Sequence, residues 1–131
     1  MRKQILLFAG LLLAQLSIAQ ESSPAPGEKL MGHLEREVRI EPGKFEEPCF
    51  PMALADQLQF SFESDAVLDF NIHYHEGKDI FFPVELSAIT RYEQNYFAPI
   101  SHQYCMMWTN RGETPVTLRY QYRLLRRENQ Q

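Results

Sequence analysis

Apolar and polar residues alternate strictly over several stretches of this chain, and a period of two is the signature of a strand with one buried face. Leu58, Phe60 and Phe62 alternate with Gln57, Gln59 and Ser61. Leu68, Phe70, Ile72 and Tyr74 alternate with Asp69, Asn71, His73 and His75. Val116, Leu118, Tyr120, Tyr122 and Leu124 frame Thr117, Arg119, Gln121 and Arg123. Each pattern predicts an antiparallel strand with its apolar side chains inward. Shorter candidates are 37–40, 79–84, 86–91 and 103–109. Turn signals at His75-Glu76-Gly77-Lys78 and Asn110-Arg111-Gly112-Glu113 separate them. No segment after residue 20 carries a convincing helical period. About eight short strands in some 90 residues predict an all-β fold, an antiparallel, jelly-roll-like two-sheet sandwich.

The first 34 residues do not belong to that pattern. Met1-Arg2-Lys3 is a short basic start, residues 5–18 are almost wholly apolar, and Ser17-Ile18-Ala19 places small residues before a cut ahead of Gln20. This is the form of a secretory signal peptide over residues 1–19. The alternative, an uncleaved anchor, is disfavoured because a bilayer span needs about 20 apolar residues. Residues 20–34 include Ser22-Ser23-Pro24-Ala25-Pro26-Gly27, have little to bury, and read as a flexible linker. The sandwich is then expected over 35–126, with a short tail at 127–131.

Taking Arg2 and Lys3 from the 13 basic residues leaves 11 against 17 acidic ones, a formal charge of −6. That balance argues against nucleic acid, which is held by cationic contacts to phosphate. Arg119, Arg123, Arg126 and Arg127 gather near the C-terminus, but they read as the solvated face of a strand. No second apolar run of spanning length follows the signal, so no stable membrane anchor is expected after cleavage.

The chain has two cysteines, Cys49 and Cys105, which in an exported protein allow one intramolecular bond. That bond closes a loop of about 57 residues and contributes up to roughly 4 kcal/mol by the chain-entropy argument. A free redox thiol and metal ligation by Cys105 are the rival readings. Neither is helped by the absence of a C-x-x-C spacing.

The order of these motifs carries a resemblance. Cys49-Phe50, the Phe-rich strand 57–62, Val67-Leu68-Asp69-Phe70-Asn71-Ile72 with its Gly-containing turn, and Tyr104-Cys105-Met106-Met107-Trp108-Thr109-Asn110 together resemble GOLD domains. These are the luminal domains of the p24 cargo-receptor family. The resemblance spans roughly residues 37–124. It implies a disulfide between Cys49 and Cys105, a jelly-roll-like sandwich, and protein or lipid binding without catalysis. The p24 proteins continue into a coiled coil and a transmembrane helix, which are not expected here. The expectation is therefore a free-standing exported domain, periplasmic or secreted and bacterial in the form of its signal, whose partner is an unnamed protein or lipid.

One constellation points to different chemistry. His73 and His75 lie two apart on a strand and so share a face, with Asp69 and Asn71 extending it. His102 precedes the second cysteine. Imidazoles suit copper or zinc, so His73, His75 and His102 form the candidate ligand set of an alternative metal-binding reading. The plain reading is a polar outer face with no cofactor. A mixed stretch, Arg91 to Phe97, offers Tyr92, Tyr96 and Phe97 as an interaction surface, or equally as core aromatics of an edge strand. Enzymatic signatures are lacking: no marked carboxylate pair, no nucleophile elbow and no Gly-rich phosphate loop.

Overall fold

The computed structural model describes residues 23–129. The signal peptide expected at 1–19 lies outside the described residues. Seven strands form: β1 (Glu28–Ile40), β2 (Phe45–Glu46), β3 (Cys49–Met52), β4 (Gln57–Glu76), β5 (Asp79–Phe97), β6 (His102–Thr109) and β7 (Val116–Arg127). All pairings are antiparallel, in the order β1-β7-β4-β6-β2, with β3 also on β6 and β5 also on β4.

The expected all-β architecture is present, drawn with fewer and longer strands. The two patterns at 57–62 and 68–74 are one 20-residue strand, β4, and residues 79–97 are one 19-residue strand, β5. Between them β4 and β5 make a long bent hairpin. Its near part pairs Gln57–Glu63 with Arg91–Phe97, and its far part pairs Leu68–Glu76 with Asp79–Ile89. The near part of β4 also takes β7, and the far part takes β6. One continuous sheet therefore folds over on itself: β1, β7 and the near hairpin face β2, β3, β6 and the far hairpin.

The bend sits at Glu63–Leu68, where the register shifts. Thr117 N–H donates to Asp65 Oδ1 at 2.9 Å, and the Ser64 hydroxyl donates to the Ala66 carbonyl at 2.7 Å. Opposite the bend, Ala88 takes a left-handed φ of 53° and its N–H donates to Asp69 Oδ1 at 2.9 Å. Local polar groups thus satisfy backbone atoms that the shifted ladder leaves over.

Aromatic rings fill the space between the two halves. Phe62 of the near half meets Phe70 of the far half at 4.9 Å between centroids, and Trp108 of β6 lies 4.5 Å from Tyr120 of β7. Leu58, Ile72, Tyr104, Met106 and Leu118 complete a core with no measurable exposure. Two buried polar groups lock its ends. Asp56 accepts a bidentate pair from Arg126 Nε and Nη2 at 2.9 and 2.7 Å, and the Ala53 N–H at 2.8 Å. Asn110 donates from Nδ2 to the carbonyls of Ile40 and Thr114, and its Oδ1 accepts the Gly112 N–H.

The linker expected at 20–34 is shorter than its composition implies. Residues 28–34 are strand, because β1 pairs with β7 from Glu28↔Arg127 onward. The segment lacks alternation since it lies at a sheet edge, with Lys29, Leu30 and Met31 all exposed. At the other end β7 runs through Arg127, the first residue of the expected tail, and Glu128 N–H donates to the Gly27 carbonyl. Within the described residues the domain therefore runs from 28 to 127 rather than 35 to 126.

Candidate functional site

Cys49 and Cys105 stand directly opposite each other on β3 and β6 and are bonded. No free cysteine is present among the described residues, which removes the free-thiol reading for the oxidised protein. Tyr104 and Met106 point inward, so alternation turns Cys105 to the outer face of the far half. There it meets β4, where His73 is its register partner.

This outer face is not the plain solvated one that alternation suggests. His73 is only 4% exposed. Its ring lies 5.2 Å from that of His75 and 5.7 Å from that of Phe82 on β5. Glu47, just before β3, brings a carboxylate oxygen into a group with a His73 ring nitrogen and Cys105 Sγ, all within 4.8 Å of one another. The same carboxylate approaches Cys49 Sγ to 3.6 Å. Asn71 Oδ1 lies 2.7 Å from His73 Nδ1. An acceptor there requires Nδ1 to carry the proton and leaves the lone pair on Nε2. Burial lowers the His73 pKa below the ordinary histidine range; Glu47 opposes this and His75 adds to it.

The candidate ligand set of three histidines is not assembled. His73 and His75 adjoin, but His102 lies on the inner side of β6, its ring 5.1 Å from Tyr74 and 6.4 Å from Tyr104. The reason is parity. His102 and Cys105 are three apart on one strand, so they face opposite ways, and His73 sits on the Cys105 side. Glu47 and Phe82, which do reach His73, have no marking in the sequence. Only the pairing of β3 with β6 and of β4 with β5 brings them there.

The aromatic set on β5 divides in the same way. Tyr96 is buried, Tyr92 packs against the core with its ring 6.0 Å from Phe60, and Phe97 alone faces outward at 52% exposure. Tyr92, Tyr96 and Phe97 therefore do not form one surface, because even positions of β5 here point inward. The large exposed apolar residues of this strand gather at its other end, where Ile80, Phe81 and Phe82 are 47%, 42% and 44% exposed. Phe81 stacks on Tyr74 at 5.1 Å with the rings 15° apart. Among the described residues β5 pairs only with β4, so its far edge carries no partner strand along either half.

The outer face of the near half holds a shallow groove of about 850 Å³. One row across it reads Glu37, Arg119, Glu63, Arg91, a ladder of alternating sign. Arg119 Nε contacts Glu37, and Arg91 approaches Glu63 at 3.6 Å. In the next row Gln121 Nε2 donates to Ser61 Oγ at 3.1 Å. These groups satisfy one another, as cross-strand neighbours of opposite charge do.

No family model and no curated protein matches the chain. Solved structures do. The pre-peptidase C-terminal domain of a Bacillus anthracis collagenase superimposes with a TM-score of 0.52 at 12% identity, over 70% of this chain and 88% of that one. A mitogen derived from Yersinia pseudotuberculosis gives 0.50 at 8% identity, over 70% and 84%. A periplasmic inhibitor of g-type lysozyme from Aeromonas hydrophila gives 0.46 at 13% identity, over 69% and 85%. At these identities the likeness to the first two is one of fold, and none of the three is a GOLD domain.

Proposed function

We propose that this protein is an exported, non-catalytic interaction module that binds an extended protein segment by adding it as a strand to the open edge of β5. The observation that carries the reading is that edge itself. It is 19 residues long, has no partner strand on one side among the described residues, and carries three consecutive exposed apolar residues, Ile80, Phe81 and Phe82, directly after Asp79. An open edge offers backbone donors and acceptors for pairing, and strand addition uses such edges for affinity and side-chain pockets for specificity. Asp79, Glu85 and Glu93 outnumber Arg91 on this strand, so the fitting segment is apolar and carries basic residues.

The disulfide fits a protein folded in an oxidising compartment, and the form of the N-terminal segment supports the periplasm or the exterior. The motif order that resembles GOLD domains, an interaction family, supports the same reading. The non-catalytic part rests on the grooved face, where arginines and carboxylates are already engaged with one another.

The test is selection of random extended peptides on the oxidised domain, followed by titration against Ile80→Lys/Phe82→Lys. We expect apolar, basic peptides whose affinity falls at least about tenfold on the variant, the scale of losing one anchoring contact. Equal binding to both proteins, or no peptide selected, overturns strand addition at β5. Binding of zwitterionic vesicles in preference to any peptide also overturns it, and makes the apolar tip a lipid contact.

A further inference from the structure

We propose that the disulfide masks a divalent-metal site, which opens on reduction and takes zinc through Cys49, Cys105, His73 and Glu47. Three of the four donors already lie within 4.8 Å of one another, and the fourth sulfur is bonded to Cys105. They come from three separate segments: Glu47 and Cys49 around the start of β3, Cys105 on β6, and His73 on β4. The sheet pairings Cys49↔Cys105 and His73↔Cys105 hold those segments side by side. Zinc takes four ligands tetrahedrally from thiolate, imidazole and carboxylate, at about 2.3 Å to sulfur and about 2.0–2.2 Å to nitrogen and oxygen. Thiolates parted by tetrahedral coordination stand further apart than bonded sulfurs, and in the reduced form Cys49, exposed at the start of the four-residue β3, turns outward to reach that spacing.

The surroundings of His73 support ligation. Asn71 Oδ1 at 2.7 Å holds the Nδ1 proton, the kind of outer partner that fixes the tautomer of a ligating imidazole. Phe82 packs at a tilt against the same ring, 5.7 Å between centroids. The set differs from the three-histidine set read from the sequence: His75 and His102 are absent from it, and Glu47 and the two sulfurs take their place.

The chemistry balances with a dithiol as reductant. The dithiol gives two electrons and two protons to the Cys49–Cys105 bond and leaves as its own disulfide. The bond breaks to two thiols. On meeting Zn²⁺ both thiols release their protons to solvent, and the thiolates, His73 and Glu47 close around the ion. The oxidised protein lacks the two strongest of these ligands, so metal binding reports the redox state of the bond.

The experiment compares the domain before and after reduction with a dithiol, which is then removed by anaerobic desalting. Zinc is titrated against a chromophoric chelator, and cobalt is used as a spectroscopic probe. The reduced protein is expected to take one equivalent of zinc, and its cobalt form to show thiolate-to-metal charge transfer with the strong visible bands of a tetrahedral site. His73→Ala and Glu47→Gln should each weaken zinc binding by at least about tenfold, the scale already seen when an outer-shell partner of a ligand is removed. The oxidised protein should bind at least about a hundredfold more weakly than the reduced one. Circular dichroism follows the fold throughout. If reduction alone melts the sheet, zinc should restore it in the wild type and not in His73→Ala. The proposal is overturned by equal zinc affinity of the two redox forms, by no stoichiometric binding on reduction, or by a His73→Ala protein with unchanged affinity and cobalt spectrum.

Discussion

At the scale of single residues, a few buried polar groups hold the sandwich closed. Asn110 is fully buried and uses both ends of its amide, joining the end of β1 to the loop before β7. Its replacement by Ala leaves two carbonyls and one N–H without a side-chain partner. At roughly 1 kcal/mol per hydrogen bond, and more where the orphaned group stays dry, the loss is about 3 kcal/mol. Chemical denaturation of Asn110→Ala measures it, and a loss under about 1 kcal/mol contradicts this role. Tyr96 and Tyr120 set a second expectation. Burial raises both phenol pKa values well above the ordinary range, with a hydrogen bond to Glu46 adding to the rise at Tyr120. A raised folded-state pKa means that their contribution is complete below about pH 10 and is lost as the unfolded chain, ionising first, gains stability. The two tyrosines together should cost about 2 kcal/mol between pH 10 and 11. Denaturation midpoints across that range check this; a Tyr96→Phe/Tyr120→Phe protein should lose correspondingly less. At this same scale the sequence was informative about Cys49 and Cys105 and silent about Glu47. Glu47, second of two glutamates before a proline, has no periodicity to betray it, and its nearness to His73 is a product of pairing between distant strands. The misplacement of His102 was legible, since an odd separation from Cys105 on one strand puts the two on opposite faces.

At the scale of elements, the bent β4–β5 hairpin gives the molecule its two layers. Alternation located both arms of β4 but not the stretch that joins them, because Glu63-Ser64-Asp65 interrupts the apolar period. In the structure the strand continues through them, since Ser64 and Asp65 replace lost ladder bonds with side-chain bonds. Likewise β1 was recognisable only from residue 37, because an edge strand exposed over its first residues has no buried face to impose a pattern. Ala88 offers a direct test of the bend. Its φ of 53° is costly for a residue with a Cβ by about 1 kcal/mol and free for glycine. Ala88→Gly should therefore hold or raise stability by up to about 1 kcal/mol, although glycine normally weakens strands by about that amount. A clear loss on thermal denaturation would mean that Ala88 is not left-handed in solution.

For the whole molecule, the covalent tie between β3 and β6 and the open edge of β5 are the two features that matter most. The disulfide spans 56 residues and joins β3 to β6 on the outside of the sandwich, away from the aromatic core. Its removal by Cys49→Ala/Cys105→Ala should cost up to about 4 kcal/mol, chiefly by freeing the unfolded chain. The folded circular-dichroism spectrum should survive, because Trp108, Phe62, Phe70 and Tyr120 do not depend on the bond for contact. An unaltered melting temperature would contradict this. The central claim concerns β5, and hydrogen exchange tests it most directly. With a peptide selected on the oxidised domain bound at saturation, amides within residues 79–97 should exchange more slowly while those of the β1 edge and the grooved face stay unchanged. Protection at β1 or in the groove, with β5 exchanging as in the free protein, would contradict the account.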